Sequence, residues 1–124
     1  MIYGIGCDIA AVRRFAKWVS DNDMIARFFN EQEIIANGTD LHKCEHYAVR
    51  FAAKEAFSKA LGTGLAGFNL RNVYIVHDDD GKPKLMLSNV VAELVEKRCG
   101  AGARVHVSLS HEKEYALAFV VIEV

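Results

Sequence analysis

In the first segment of the chain, residues 2–9, large apolar side chains alternate with mostly small or polar ones. This alternation predicts a β-strand. Side chains two residues apart share one face of a strand, and we expect the larger, apolar set to face the core. Glycines leave the opposite face almost bare around Asp8, so that another backbone or a ligand can approach closely. The apolar set is Tyr3, Ile5, Cys7 and Ile9, and the bare set is Ile2, Gly4, Gly6 and Asp8.

Helical segments are predicted to follow this strand. The first runs from about Ala10 to Val19 and ends before a polar loop at 20–23. Asn30 is typical of a helix N-cap, and a short helix after it stops at Asn37–Gly38. The longest helix begins at Thr39 or Asp40 and continues through Leu61 to the stop at Gly62–Thr63–Gly64.

Two hairpins and one helix are predicted for the rest of the chain. Residues 73–77 and 84–87 are strands joined by a turn whose Asp80–Gly81 step suits positive φ. A helix capped at Ser88–Asn89 covers about 90–98, and strands follow at 104–109 and 115–124. Consecutive hairpins favour antiparallel pairing, so the order predicts an α+β fold, an antiparallel sheet with the long central helix packed on it.

Composition narrows the class of protein. The 124 residues, 52% of them hydrophobic, indicate one domain over 1–124 with its own core. A net charge of -1 argues against a dedicated nucleic-acid binder. Three cysteines without a CxxC pair indicate reduced thiols in a cytoplasm. The longest apolar run, 115–122, is short of the roughly 20 residues that span a membrane as a helix, so we expect a soluble cytoplasmic protein.

Two carboxylates are candidates for chemistry. Glu55 falls on a stripe of mostly small apolar residues of the long helix, and we expect it to be partly buried. Its simpler interpretation is an ion pair with Lys59, one turn later; that of Asp8 is an N-cap for the following helix. Together, two carboxylates facing small residues can hold one hard cation, and magnesium accepts one or two carboxylates with water and phosphate oxygens.

Positive charge and polar turns lie near these carboxylates in the sequence. Arg50, Lys54 and Lys59 form an excess of cations that phosphates could neutralise. The glycines at 62–64 suffice as a helix stop, but they would also let a phosphate reach backbone N–H groups. Segment 108–111 does not suit a serine hydrolase, because neighbouring residues on a strand point apart. It is either a polar turn or a phosphate or nucleotide contact. His42 and His46 lack the rest of a zinc pattern and are expected on the surface.

These residues, taken together, closely resemble the holo-acyl-carrier-protein synthases, the short class of 4'-phosphopantetheinyl transferases. The resemblance runs from the first strand to the last, and its most specific block is Lys54–Gly64, KEAFSKALGTG. It implies the fold of that family. It also implies transfer of 4'-phosphopantetheine from coenzyme A to a serine of apo acyl carrier protein, with release of adenosine 3',5'-bisphosphate, in support of fatty acid biosynthesis.

The resemblance also implies roles for individual residues. Asp8 and Glu55 become ligands of Mg²⁺ and, with Lys59, the catalytic residues. Glu55, acting directly or through a metal-bound water, is the nearest candidate base for the serine proton, and the sequence does not separate these two routes. Arg14 matches a carrier-protein docking position, to which Arg13 and Lys17 are added from their charge. Chains of this length resemble homotrimers with active sites between subunits. The implied coenzyme A contacts are Arg50, Lys54, Lys59, Gly62, Thr63, Gly64, Ser108, Ser110 and His111.

Departures from the family and rival functions limit these expectations. The family typically has an acidic residue soon after Asp8, where this chain has Ala10 and Ala11, so a third carboxylate near the metal is in doubt. Cys7, by its expected core orientation, should react little with thiol reagents.

Two rival functions are less consistent with the sequence. A regulatory domain that holds coenzyme A would not need two carboxylates aimed at a cation. A metal-dependent nuclease using Asp8, Lys54 and Glu55 would need a strongly basic groove.

Overall fold

The computed structural model describes all residues of the chain, Met1–Val124. Short 3-10 helices occupy Val12–Ala16, Glu31–Glu33, Leu65–Gly67 and Leu70–Asn72. The longer elements are β1 (Ile2–Ala11), α1 (Asn22–Phe28), α2 (Asp40–Leu61), β2 (Val73–His77), β3 (Pro83–Leu87), α3 (Asn89–Cys99), β4 (Arg104–His111) and β5 (Tyr115–Glu123).

The strands form two antiparallel sheets. The larger has the order β1-β5-β4, and β2 pairs with β3 as a separate hairpin. The long helix α2 packs on one face of the larger sheet, where alternate β5 residues from Ala116 to Ile122 are fully buried. This confirms the predicted α+β fold. None of the helices combines the length and apolar character needed to cross a membrane, and the three cysteines form no disulfide.

Strand β1 and helix α2 approach each other backbone to backbone. A methyl group added at Gly6 would overlap the carbonyl oxygen of Ala56, and one added at Gly4 would overlap that of Ala60. The glycine face of β1 is therefore the inner face, because only residues without side chains allow this approach. Asp8 shares that face and lies opposite Ala118 of β5.

The predicted core face of β1 is consequently wrong. Tyr3, Ile5, Cys7 and Ile9 point outward, and Ile5 and Ile9 are 64% and 63% exposed. The Cys7 thiol is exposed as well, so the expectation that it reacts little with thiol reagents loses its basis. The periodicity identified two faces correctly, but the small residues, and not the large ones, meet the helix.

The region after β1 also differs from the prediction. The helix predicted over 10–19 is wrong, because β1 stays paired with β5 as far as Ala11 and only the short 3-10 helix follows. The loop predicted at 20–23 is confirmed for Ser20 and Asp21, but α1 already begins at Asn22. Asp21 accepts a hydrogen bond from Met24 N at 3.1 Å and caps α1. Asn30 is confirmed as a cap, but its helix is only three residues long.

The remaining elements agree closely with the bounds predicted from the sequence. Thr39 caps α2 through a 3.1 Å bond from His42 N, and Gly62 ends it with a φ of +88°. Gly81 takes a φ of +82° in the β2–β3 turn. Ser88 precedes α3 at its N-cap position, although its side chain makes no capping bond.

The glycine contact generates a stability prediction. We expect Gly6→Ala to lower the free energy of unfolding by about 1–3 kcal/mol, because the added methyl must push two backbones apart. Lys84→Ala, an exposed position of β3, is the control and should change stability little. Urea denaturation at one chain concentration measures both. Equal stability of Gly6→Ala and the unmodified chain would contradict the close approach.

Candidate active site

Asp8, Glu55 and Lys59 form a group, here called the carboxylate site, where the inner face of β1 meets α2. The Lys59 ammonium lies 3.3 Å from Asp8 Oδ1 and donates to the Cys7 carbonyl oxygen at 2.9 Å. The Lys59 side chain is 53% exposed. An ammonium has three N–H donors, so one donor remains available to an incoming group.

The simpler interpretations of both carboxylates are wrong. Lys59 pairs with Asp8 across the strand–helix contact, and no ion pair joins Lys59 to Glu55. Asp8 lies within β1 and caps no helix, since the N-cap position of the following 3-10 helix is Ala11, which makes no side-chain bond. Neither carboxylate is therefore explained by local helix chemistry.

The carboxylate site holds two negative side chains, Asp8 and Glu55, and one positive side chain, Lys59. Burial raises the pKa of Glu55, and the neighbouring Asp8 charge raises it further. The positive charges of Lys59 and Arg14 lower the pKa of Glu55, but they do not cancel the two effects that raise it. Two carboxylates that repel each other in a half-buried setting are stabilised by a cation between them.

The donor set suits a hard divalent metal ion. Asp8 and Glu55 offer carboxylate oxygens, and magnesium typically takes one or two carboxylates while keeping waters and phosphate oxygens. The chain has no cluster of three or more His, Cys, Asp or Glu residues that could hold a metal. Ala10 is buried on the strand face of Asp8, so this position of β1 offers no carboxylate.

Lys54 is not at the carboxylate site, and its predicted contact with coenzyme A is wrong. Its side chain is 1% exposed, and its ammonium donates to Glu33 Oε1 at 2.6 Å and to the carbonyl oxygens of Leu70 and Val73. All three donors are therefore used inside the protein. No proton of Lys54 is left for a phosphate.

Glu33 is the residue that the sequence did not reveal. Its Oε1 also accepts from Asn30 N at 3.1 Å, and its Oε2 accepts from Ile75 N at 3.1 Å. The buried Glu33–Lys54 pair thus ties the loop after α1 and strand β2 to helix α2. A capping box with Asn30 was the one local signal that could have placed Glu33.

Arg50 lies on a different side of α2 from Glu55. Five residues of α-helix turn the side-chain direction by about 140°, so the two side chains point to different sides of the helix. Its Nη1 donates to the His46 carbonyl oxygen at 3.2 Å, while its Nε is buried without a partner. A half-buried guanidinium with unused donors suits an anion, phosphate above all.

His46 stands one turn before Arg50 and is half-buried, so its predicted surface position is wrong. Its Nε2 donates to the Glu33 carbonyl oxygen. Burial lowers the pKa of His46 to about 4, and the Arg50 charge adds to the effect. The imidazole is therefore neutral at pH 7 and adds no charge beside Arg50.

Ser108 and Ser110 lie on the outer face of the sheet. Ser108 is opposite Phe119 of β5, whereas Asp8 is opposite Ala118 on the inner face. The sheet itself therefore separates these hydroxyls from the carboxylate site of the same chain. His111 ends β4, with Nδ1 3.8 Å from the Glu45 carboxylate of α2.

The turn at 62–64 and the predicted docking cations are accessible. Gly62 and Gly64 have positive φ, and Thr63 N bonds back to Ser58, so this turn is the C-terminal cap of α2. Arg13, Arg14 and Lys17 are all exposed in the segment after β1. The Arg14 guanidinium lies 5.0 Å from the Phe51 ring centre, and Phe51 precedes Glu55 by one helical turn.

Comparisons with known proteins give a consistent result. The family model described as the 4'-phosphopantetheinyl transferase superfamily matches residues 4–120. The holo-[acyl-carrier-protein] synthase of Treponema denticola is 44% identical over 125 residues, covering 99% of both chains. A crystal structure of holo-[acyl-carrier-protein] synthase from Neisseria meningitidis aligns with a TM-score of 0.83 and 35% identity over 99% of both chains. The Bacillus anthracis enzyme in complex with CoA (3',5'-ADP) aligns with a TM-score of 0.77 and 35% identity, over 98% of this chain and 96% of that one.

Proposed function

This chain belongs to the holo-[acyl-carrier-protein] synthases of the 4'-phosphopantetheinyl transferase superfamily, and on that premise we propose which of its residues perform the reaction. The enzyme transfers the 4'-phosphopantetheine group from coenzyme A to a serine of apo acyl carrier protein. The products are holo acyl carrier protein, which supports fatty acid biosynthesis, and adenosine 3',5'-bisphosphate. The observation that carries the assignment of roles is the Asp8–Glu55 pair beside Lys59.

Asp8 and Glu55 would hold Mg²⁺ through their carboxylate oxygens. When bound, magnesium withdraws charge from the diphosphate of coenzyme A and so favours phosphoryl transfer. The free donor of Lys59 stabilises the negative charge that develops on the bridging or leaving oxygen. Glu55 accepts the proton of the carrier serine as its hydroxyl attacks the β-phosphorus in line.

The contacts to coenzyme A fall on residues with unused polar groups. Arg50 has a buried Nε without a partner, which a phosphate oxygen would satisfy. The turn Gly62, Thr63 and Gly64 offers a close backbone approach at the end of α2. The set also includes Ser108 and Ser110 on the outer face of β4 and His111 at its end. Lys54 is excluded because all of its N–H donors are used inside the protein.

We assign the complete site to two subunits of a homotrimer. Arg50 and Glu55 point to different sides of α2, and the sheet stands between Asp8 and Ser108. Within a single chain these groups therefore face different surfaces. A neighbouring copy that presents Arg50 and the end of β4 to the carboxylate site would unite them.

The outer face of the larger sheet is the surface that such an assembly would cover. It exposes large apolar side chains on two adjacent strands, and a patch of this kind is typical of a protein interface. Closed rotational symmetry lets every copy bury the same surface. The exposed residues include Tyr3, Ile5 and Ile9 of β1 and Tyr115, Leu117 and Phe119 of β5.

The acidic carrier protein would dock on the segment that carries Arg13, Arg14 and Lys17. This segment directly follows β1, the strand that bears Asp8. Arg14 is close enough to the carboxylate site for its charge to lower the pKa of Glu55. A carrier that pairs its carboxylates with Arg14 therefore brings its serine near the reacting phosphate.

The reaction and the role of Glu55 are tested together. We incubate the protein with magnesium, coenzyme A and an apo carrier and weigh the carrier by mass spectrometry. The unmodified chain should add one 4'-phosphopantetheine group. Glu55→Gln should remain folded but lose at least about a hundredfold in rate, since a charged metal ligand and proton acceptor is removed.

The exposed Glu31→Gln is the matched control and should keep the full rate. Absence of any adduct with the unmodified chain would favour a coenzyme A-binding module without chemistry. Near-normal turnover by Glu55→Gln would remove Glu55 from the mechanism. Circular dichroism confirms that each variant is folded.

The docking segment gives a separate prediction. Arg14→Glu should raise KM for the carrier by about tenfold or more and weaken its dependence on salt, because attraction becomes repulsion. KM for coenzyme A should change little. Lys84→Glu, an exposed charge reversal on β3, is the control. A rise in KM for coenzyme A alone would show that Arg14 serves the donor and not the carrier.

A further inference from the structure

Arg98 reaches from the last turn of α3 to the end of α2. Its Nε donates to the Leu61 carbonyl oxygen at 3.3 Å, and Leu61 is the last residue of α2. That carbonyl has no partner within the helix, because the last four carbonyl groups of an α-helix have no N–H group of the same helix to accept from. The Arg98 side chain therefore satisfies a carbonyl group that α2 leaves open.

The Arg98 guanidinium also lies beside the first residue of the turn at 62–64. A methyl group added at Gly62 would be 3.4 Å from Arg98 Nη2, so the charged group is close to the Gly62 backbone. Gly62 and Gly64 both have positive φ, and a glycine populates other conformations about as readily. A contact from outside α2 restricts this freedom and favours one conformation of the turn.

The position of this turn opposes the binding of a donor phosphate. The carbonyl groups at the C-terminal end of a helix together carry about half of a negative elementary charge, which repels a phosphate at 62–64. Lys59 is the basic residue in the last turn of α2, but its ammonium is directed to Asp8 and to the Cys7 carbonyl oxygen. A phosphate at this turn therefore requires a further cation at the end of α2.

Arg98 is placed to supply that positive charge. A guanidinium has five N–H donors and keeps its charge in proteins, and the hydrogen bond of Arg98 to Leu61 uses one of these donors. The side chain forms no ion pair with a carboxylate. Its full charge therefore acts on the end of α2 and on the turn that follows.

We propose that Arg98 is a positioning residue for the transfer reaction. It holds the turn at 62–64 from the side of α3 and offsets the negative end of α2, so that a donor phosphate can bind there. Arg98 acts through the turn and not by contact with the reacting atoms. The proposal rests on the proposed function and adds α3 to the elements that prepare the site.

Neutralising Arg98 tests the proposal through the KM for coenzyme A. Arg98→Met should raise this KM at least about fivefold, because the turn loses both a hydrogen bond and a positive charge. The kcat and the KM for the carrier should change little. The rise in KM should become smaller at high salt, since ions screen the attraction that was lost. Lys97→Met makes the same change at the neighbouring exposed position of α3; it is the matched control and should change the KM little.

Two further variants separate the charge of Arg98 from its hydrogen bond. Arg98→Lys keeps the charge and should restore most of the affinity for coenzyme A. Arg98→Gln keeps an N–H donor for the Leu61 carbonyl without the charge, and its KM should be raised like that of Arg98→Met. Full recovery with Arg98→Gln would contradict the electrostatic role. If Arg98→Met fails to fold, the comparison of the Lys and Gln variants decides the same question.

Three other outcomes would overturn the proposal. They are an unchanged KM for coenzyme A in Arg98→Met, an equal rise in KM in Lys97→Met, and a fall in kcat without a rise in KM. Thermal unfolding shows whether each variant is folded. Adduct formation by the unmodified chain is measured in parallel. The absence of an adduct contradicts the proposed function, whereas adduct formation with an unchanged KM in Arg98→Met contradicts the role of Arg98 alone.

Discussion

The backbone contact between β1 and α2 is the constraint on which the rest of the structure depends. Gly4 and Gly6 lack side chains, so the carbonyl groups of Ala56 and Ala60 lie directly against the strand. A strand carrying larger residues at these positions would hold the helix several ångströms away. Asp8 is the next residue on the same face, and the contact brings it beside Glu55 and Lys59. The small residues thus determine where the charged ones meet.

Two neighbouring residues of α2 show how one helix serves both structure and chemistry. Lys54 turns into the interior and pairs with Glu33, which fixes β2 and the loop after α1. Glu55 turns toward β1 and stays half-exposed beside Asp8. Removing one partner of a buried pair costs several kcal/mol, commonly about 3–5, so Lys54 supports the site by holding the fold. A sequence block rich in charge therefore need not direct all of its charges at the substrate.

The sequence predicted local features well and long-range ones poorly. The ends of α2 and the β2–β3 turn follow from caps and glycines, which act over a few residues. The inner face of β1 could not be inferred from apolarity, because the large apolar side chains of Ile5 and Ile9 point outward and are 64% and 63% exposed. Glu33 could not be matched with Lys54, since nothing local marks a pair 21 residues apart. The separation of Arg50 and Ser108 from Glu55 emerges only when helix and sheet are assembled.

Because Arg50 and Ser108 lie away from Glu55 within one chain, the central claim is that each active site is shared between two subunits. Complementation between inactive subunits tests this claim most directly. Glu55→Gln and Arg50→Ala chains, each inactive alone, are co-expressed so that mixed trimers form, and carrier modification is measured. If each site takes Glu55 from one subunit and Arg50 from the next, about a quarter of the sites in random trimers are intact. Activity should return to that level. Mixed assemblies no more active than either parent would contradict a site built between subunits.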